Sequence, residues 1–186
     1  MSHDDDVDDV KRVLSGETEA FARIVRRHQR VLFAFGRRFF PNRADVEDFV
    51  QDVFLQAYRR IATFRGDGLL RSWLLGIAYH HAVRTNGLRP ELTSLDEQTM
   101  QDSTESPERQ LLRREACRSI AQAIRRLPER FATCLDLYFF FGMTYEEISR
   151  TTGHPVNTVR SHIRRAKERL REMLSDDMLE GCYDVS

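Results

Sequence analysis

The 186-residue chain is long enough for one medium domain or two small ones. Its 29 Lys and Arg residues balance its 29 Asp and Glu residues, so the net charge alone predicts no nucleic-acid partner. Cys117, Cys134 and Cys182 lie far apart, which is typical of reduced thiols in the cytosol rather than of a disulfide framework. No apolar run reaches the roughly 18 residues of a membrane span, and the amino end lacks a signal-peptide pattern. We therefore expect a cytoplasmic protein with no membrane insertion of its own.

Three helices are predicted in the first half of the chain, at about Glu17 to Phe39, Asp45 to Ala62 and Leu70 to Arg84. Apolar residues recur there at three- and four-residue steps, as the buried face of a helix requires. In the first helix this stripe consists of Phe21, Val25, His28, Leu32 and Phe35. Asp45 is a suitable N-cap for the second helix. These helices carry enough aromatic and aliphatic residues for the core of a small domain.

The periodic pattern stops at Gly87 and resumes at about Glu108. The intervening stretch has low hydrophobicity and several acids, which are features of a linker. We therefore predict an all-α protein with two small helical domains, residues 1–86 and 108–175. A flexible acidic linker, residues 87–107, joins them, and residues 176–186 form an acidic tail.

A helix-turn-helix is predicted between Met143 and Leu174. Thr144 and Glu147 have the spacing of a capping box, Gly153 supplies the turn, and Pro155 suits the first position of the next helix. That helix has one apolar face and one basic face, as expected of a helix that enters the major groove of DNA. Its candidate DNA-binding residues are Asn157, Thr158, Arg160, Ser161, Arg164 and Arg165.

Two other features admit a structural or a functional interpretation. The solvent face of the second helix carries Asp48, Asp52 and an unexpected Leu55, which fits either a docking surface or ordinary solvation. Trp73 is more typical of a core residue, but beside the Gly-rich loop at 64–68 it could stack against unpaired bases.

Patterns for catalysis are missing from the sequence. His80 and His81 are adjacent, so they point about 100° apart on a helix and make a poor metal pair. The cysteines lack ligand spacing, and no phosphate loop or nucleophile motif is present. We therefore predict no enzyme activity, no catalytic residue, no cofactor and no metal.

Two runs of sequence resemble the extracytoplasmic-function (ECF) sigma factors of bacterial RNA polymerase. They read DVEDFVQDVFLQAYRRIATFRGDGLLRSWLLGIAYHHAV and LPERFATCLDLYFFFGMTYEEISRTTGHPVNTVRSHIRRAKERL, and they lie in the family's order. The resemblance implies a subunit that binds core RNA polymerase, selects promoter DNA and helps to open it. It also implies an anti-sigma factor as a further partner. One difference concerns His162, which occupies a position of the recognition helix where the family frequently has arginine.

The resemblance also implies roles for individual residues. The residues that would bind the clamp coiled coil of polymerase are Asp48, Gln51, Asp52 and Leu55. Those that would contact the minus-ten element are Arg71, Trp73, Tyr79 and Arg84. The six candidates named above in the basic helix would contact the minus-thirty-five element. Two alternatives remain at this stage, namely a helix-turn-helix regulator that binds DNA alone and a sigma-like decoy that binds polymerase without melting DNA.

Overall fold

The computed structural model describes residues 3–66, 68–86, 119–120 and 122–183, with the backbone alone for residues 86 and 175–183. All regular elements in these ranges are helices, so the predicted all-α fold class is confirmed. Within the same ranges, no helix combines the length and the apolar character that crossing a membrane requires. The predicted linker and the predicted helix start at Glu108 lie outside the described residues.

The first of two compact units is built mainly on four helices and a short 3-10 turn at Ile61–Thr63. The helices are α1 (His3–Leu14), α2 (Thr18–Gly36), α3 (Arg43–Arg60) and α4 (Leu70–Asn86). Helices α2, α3 and α4 pack against one another, and α1 packs on α2. Fully buried aliphatic side chains such as Ile24, Leu32, Val53 and Leu74 form the core. Gly36 permits close approach of α2 to α3, because a Cβ atom there would lie 2.9 Å from the ring of Phe49.

Two details of α2 and α3 differ from the sequence prediction. His28, Leu32 and Phe35 are buried as predicted, but Phe21 and Val25 are only partly buried, and Ile24 points into the core instead. The prediction of Asp45 as the N-cap was wrong, because α3 begins at Arg43 and its N-cap is Asn42, which has an extended backbone. Asp45 lies in the first turn, where its carboxylate accepts a 3.2 Å hydrogen bond from Asn42 Nδ2 and faces the positive end of the helix.

Helix α1 was not predicted from the sequence, where the first predicted helix begins at about Glu17. Two of these acids, Asp6 and Asp9, are buried against α2. Asp6 accepts hydrogen bonds from Arg27 at 2.5 Å and from His28 at 3.0 Å, and Asp9 accepts from Arg27 at 2.9 Å. Burial opposes ionisation of Asp6, but the bonds from His28 and Arg27 outweigh it and hold the pKa of Asp6 below its ordinary value.

The second unit is built mainly on α5 (Glu129–Phe139), the greater part of α6 (Tyr145–Thr152) and α7 (Val156–Tyr183). Helix α5 packs against α7, and its Phe131 and Leu135 share a buried cluster with Ala166 of α7. Residues 122–126, also helical, contribute Ile124 to the same cluster. The backbone of α7 stays helical to Tyr183, beyond Leu174, where the apolar pattern predicted its end.

Candidate nucleic-acid interface

The helix-turn-helix consists of α6, a turn centred on Gly153, and the first part of α7. The predicted capping box is present, with the Thr144 amide donating to Glu147 Oε2 at 2.8 Å and the Glu147 amide donating to Thr144 Oγ1 at 3.2 Å. Gly153 has a φ of 75°, in the region that favours glycine. Pro155 lies one residue before α7, and its carbonyl accepts hydrogen bonds from the amides of Thr158 and Val159.

Helix α7 buries one face and exposes the other. Val159, Ile163 and Ala166 are buried. All six candidate residues lie outside this face. Asn157, Arg160, Arg164 and Arg165 are exposed, whereas Thr158 and Ser161 are partly exposed.

His162 belongs to the buried face of α7. Its ring packs on Phe131 and His154, and its Nδ1 lies 3.8 Å from the sulfur of Cys134. Burial, followed by the positive charges of His154, Arg130 and Arg165, lowers the pKa of His162. His162 therefore packs inside the unit instead of occupying the DNA-facing place that its position in the recognition helix suggested.

Among the six candidate DNA-binding residues, Arg164 forms an ion pair with another residue of α7. Its guanidinium lies 3.2 Å from Glu168, and both side chains are largely exposed. Such surface pairs at i and i+4 contribute about 0.3–0.5 kcal/mol. A base or phosphate can therefore displace Glu168 at little cost.

The candidate minus-ten residues lie on or near α4. Trp73 is partly exposed and tilts against Phe64, with ring centroids 5.8 Å apart. Arg84 is exposed at the end of the helix, and Arg71 is partly exposed in its first turn. Tyr79 is buried, which removes its ring from the accessible surface.

The four candidate polymerase-binding residues form one exposed stripe on α3. Asp48, Gln51, Asp52 and Leu55 are all exposed, and at about 100° per residue they span about 100° of the helix surface. Leu55 has 48% of its surface exposed and lies on the same side of the helix as the carboxylates of Asp48 and Asp52.

An apolar groove runs along one side of this stripe, between α2 and α3. Its volume is about 410 Å³, and Gln51 and Leu55 lie on its wall. Phe21, Val25 and Tyr58 complete much of the lining. This groove could not be predicted from the apolar stripe of α2, because the stripe places Phe21 and Val25 in the core.

The other side of the stripe is connected to α4 through His81. The Nε2 atom of His81 lies 3.4 Å from Asp52, and its Nδ1 accepts a 2.9 Å hydrogen bond from Gln56. A terminal nitrogen of Arg84 lies 3.4 Å from the same Nδ1. The ring also stacks on Phe49 at 5.4 Å. The carboxylate of Asp52 and the guanidinium of Arg84 thus meet the same ring.

Comparison with known protein families assigns both units. Residues 24–85 match the family model for sigma-70 region 2, and residues 117–170 match the model for sigma-70 region 4. The chain is 34% identical to the RNA polymerase sigma-H factor of Pseudomonas aeruginosa, over 97% of this chain and 100% of that protein. This chain belongs to the extracytoplasmic-function sigma factors. It is a transcription initiation factor and not an enzyme.

Other relatives of this sigma factor agree with the assignment. The chain is 34% identical to the ECF RNA polymerase sigma-E factor of Escherichia coli K12, over 86% of this chain and 88% of that protein. Among solved structures, CnrH in complex with the cytosolic domain of CnrY has a TM-score of 0.66 and 25% sequence identity, over 93% of this chain. The sigma factor RpoE of Bartonella quintana, solved with the anti-sigma factor NepR, has the same fold, with a TM-score of 0.59 at 20% identity.

Proposed function

We propose that this sigma factor binds core RNA polymerase through the exposed stripe on α3. The observation that carries this proposal is Leu55, an exposed leucine that lies beside an apolar groove and about one helical turn from the exposed carboxylate of Asp52. A partner that covers Leu55 together with the adjoining groove would bury apolar surface and so gain binding free energy. The carboxylates of Asp48 and Asp52 would pair with basic residues of the partner and orient it.

We also propose that the α4 region meets the minus-ten element. Trp73 and Phe64 present aromatic surface at the loop before α4, and unpaired bases stack on such surfaces with about 1–3 kcal/mol each. Arg71 and Arg84 would contact the phosphates of the opened strand. The burial of Tyr79 removes it from this proposed set.

The exposed face of α7 is proposed to read the minus-thirty-five element from the major groove. Arg164 and its neighbours on that face have the donors that guanine and phosphate accept. In this proposal, residues 1–86 bind polymerase and the minus-ten element, and residues 108–175 bind the upstream duplex. The linker at 87–107 would set the distance between them. The protein would act in the cytoplasm, where the polymerase is.

An anti-sigma factor is the proposed inhibitory partner. The structure of CnrH contains the cytosolic domain of CnrY, which supports a similar partner for this chain. The groove between α2 and α3 suits an apolar helix face, because Phe21, Val25 and Leu55 line it. Occupation of the groove would cover Leu55 and prevent polymerase from binding there.

Run-off transcription with purified core polymerase tests the proposal. Adding this protein should produce promoter-dependent transcripts, and the protein should co-elute with core. A stand-alone helix-turn-helix regulator would do neither. The Trp73→Ala variant then separates an initiation factor from a decoy, since a role in melting predicts loss of the open complex with polymerase binding retained. Unchanged open-complex formation in that variant would remove Trp73 from the proposed minus-ten surface.

A further inference from the structure

Two cations on one flank of α7 lie against aromatic rings of the preceding helices. The guanidinium of Arg160 lies 5.6 Å from the ring centroid of Tyr145. The ammonium of Lys167 lies 4.9 Å from the ring centroid of Phe139 and 6.0 Å from that of Tyr138. Residues 160 and 167 are seven positions apart, so their side chains leave the helix in nearly the same direction.

The three rings form one continuous surface. Tyr138 and Tyr145 stack with their centroids 5.1 Å apart and their planes 21° apart, and Phe139 meets Tyr138 edge to face at 4.9 Å. A hydrogen bond between the two phenol groups raises the pKa of Tyr145, so this ring stays neutral at physiological pH. The rings therefore connect the end of α5 to the start of α6 beside the recognition helix.

Both cations keep their full charge for a ligand. Within the described part of the chain, neither Arg160 nor Lys167 lies within ion-pair distance of a carboxylate, whereas Arg164 on the same helix is paired with Glu168. An aromatic face attracts a cation without neutralising it. The contacts restrict the two long side chains to one side of α7 and thereby reduce the entropy that a ligand must remove.

Phe139 is the least expected member of the group. More than half of its surface, 53%, is exposed at the end of α5, although its neighbours Leu135 and Leu137 are buried. Packing in the core therefore does not explain why residue 139 is aromatic, whereas its contact with Lys167 does.

We propose that Arg160 and Lys167, held by the rings of Tyr138, Phe139 and Tyr145, form a binding site for a DNA phosphate at the edge of the major groove. The inference rests on the proposed function of α7, because phosphates border the groove that a recognition helix enters. The cations supply the charge. Tyr138, Phe139 and Tyr145 are positioning residues, and their rings fix where that charge lies.

The test uses holoenzyme, reconstituted from core polymerase and the full-length chain, and a promoter duplex identified by transcript mapping. The affinity for the duplex is measured over a range of KCl concentrations. Lys167→Gln should reduce the slope of log affinity against log salt by about 0.9, the contribution of one neutralised phosphate. Lys11→Gln, which removes an exposed lysine from α1, is the matched control and should leave the slope unchanged.

Phe139 is tested separately because it is uncharged and contributes no phosphate neutralisation to the salt slope. Phe139→Leu should weaken duplex binding about 2- to 5-fold without changing the salt slope, since the lysine remains but loses its ring. Phe139→Tyr keeps a ring and should restore the affinity. A purely structural role for Phe139 would instead lower the melting temperature and leave the affinity of the folded holoenzyme unchanged.

The outcomes separate this site from the proposed function. If wild-type holoenzyme binds the promoter and transcribes it, but Lys167→Gln has the same salt slope as Lys11→Gln, the phosphate site is wrong and the sigma-factor function stands. Equal affinities of Phe139→Leu and wild type would overturn the positioning role. A failure of the wild-type protein to direct transcription would overturn the proposed function itself.

Discussion

Replacing Leu55 by alanine should weaken the binding of core polymerase about fivefold without affecting the fold. About half of the residue, 48%, is exposed in the free protein, and that part remains to be buried by a partner. Complete burial of a leucine side chain stabilises by about 1.5–3 kcal/mol, so the remaining half contributes about 1 kcal/mol. A free-energy change of this size corresponds to about a fivefold change in Kd.

Leu14 of α1 provides a matched control, because 53% of its surface is exposed and it also belongs to the first unit. The Kd of each variant for core polymerase can be measured by competition against the labelled wild-type protein, with thermal unfolding as a check on the fold. We expect Leu55→Ala to weaken binding and Leu14→Ala to have no effect. Equal Kd values for the two variants would refute the reasoning, since exposure without docking predicts the same result at both positions.

Three further predictions concern the recognition helix and the buried charges. Arg164→Ala should weaken promoter binding by holoenzyme by about 1–3 kcal/mol if the side chain reads a base, and an unchanged upstream footprint would exclude that contact. Asp6→Ala should lower the free energy of unfolding by about 3 kcal/mol in a urea titration, because Arg27 loses a buried carboxylate, whereas Asp8→Ala removes only an exposed pair and should cost less than about 1 kcal/mol. The pKa of His162 is lowered from 6.5, so the unfolded chain takes up this proton first as the pH falls, and stability that is complete above about pH 6.5 is lost below it. His162→Gln should lose less stability than wild type between pH 7 and 5 by circular dichroism, and parallel losses would contradict this.

The stability of the first unit at low pH depends on Asp6, whose stabilising form is the deprotonated carboxylate. Its pKa lies below the ordinary value of 3.8 in the folded chain. The stabilising contribution of the carboxylate is therefore complete above about pH 3.8 and disappears as the pH falls through the lower folded-state pKa. The loss of stability expected from His162 therefore begins below about pH 6.5, whereas the loss expected from the contact between α1 and α2 begins below about pH 3.8.

Helices with a clear apolar stripe could be predicted from the sequence, and α1 could not. In α3 and α4, spacing alone located the elements to within about two residues. In α1, buried Asp6 and Asp9 take the place of apolar residues, and their partner Arg27 lies one helix later in the chain. A hydrophobicity pattern does not predict a helix face that is buried through ion pairs. The burial of each charge is tolerated only when its partner, distant in sequence, is present.

In the candidate site, too, features formed by residues close in sequence could be predicted, whereas features formed by distant residues could not. The capping box, the Gly153 turn and the basic face of α7 depend on residues close in sequence, and the structure contains all three. The contact of Lys167 with Phe139 joins residues 28 positions apart, and the groove beside Leu55 depends on the packing of α2 against α3. Such features require the fold, so no spacing rule predicts them.

The contacts of His81 connect the proposed polymerase-binding stripe on α3 with the end of α4 that is proposed to meet the opened strand. Gln56 and Arg84 both direct donors at Nδ1, so the ring carries its proton on Nε2, the atom that faces Asp52. Stacking on Phe49 limits the rotation of the ring. A partner that pairs with Asp52 therefore acts on a ring that also contacts Arg84, at the end of the helix proposed to meet the opened strand. Because these side chains join α3 to α4 directly, docking on α3 would restrict α4, and the free energy of polymerase binding would help to hold the proposed DNA-facing end in place.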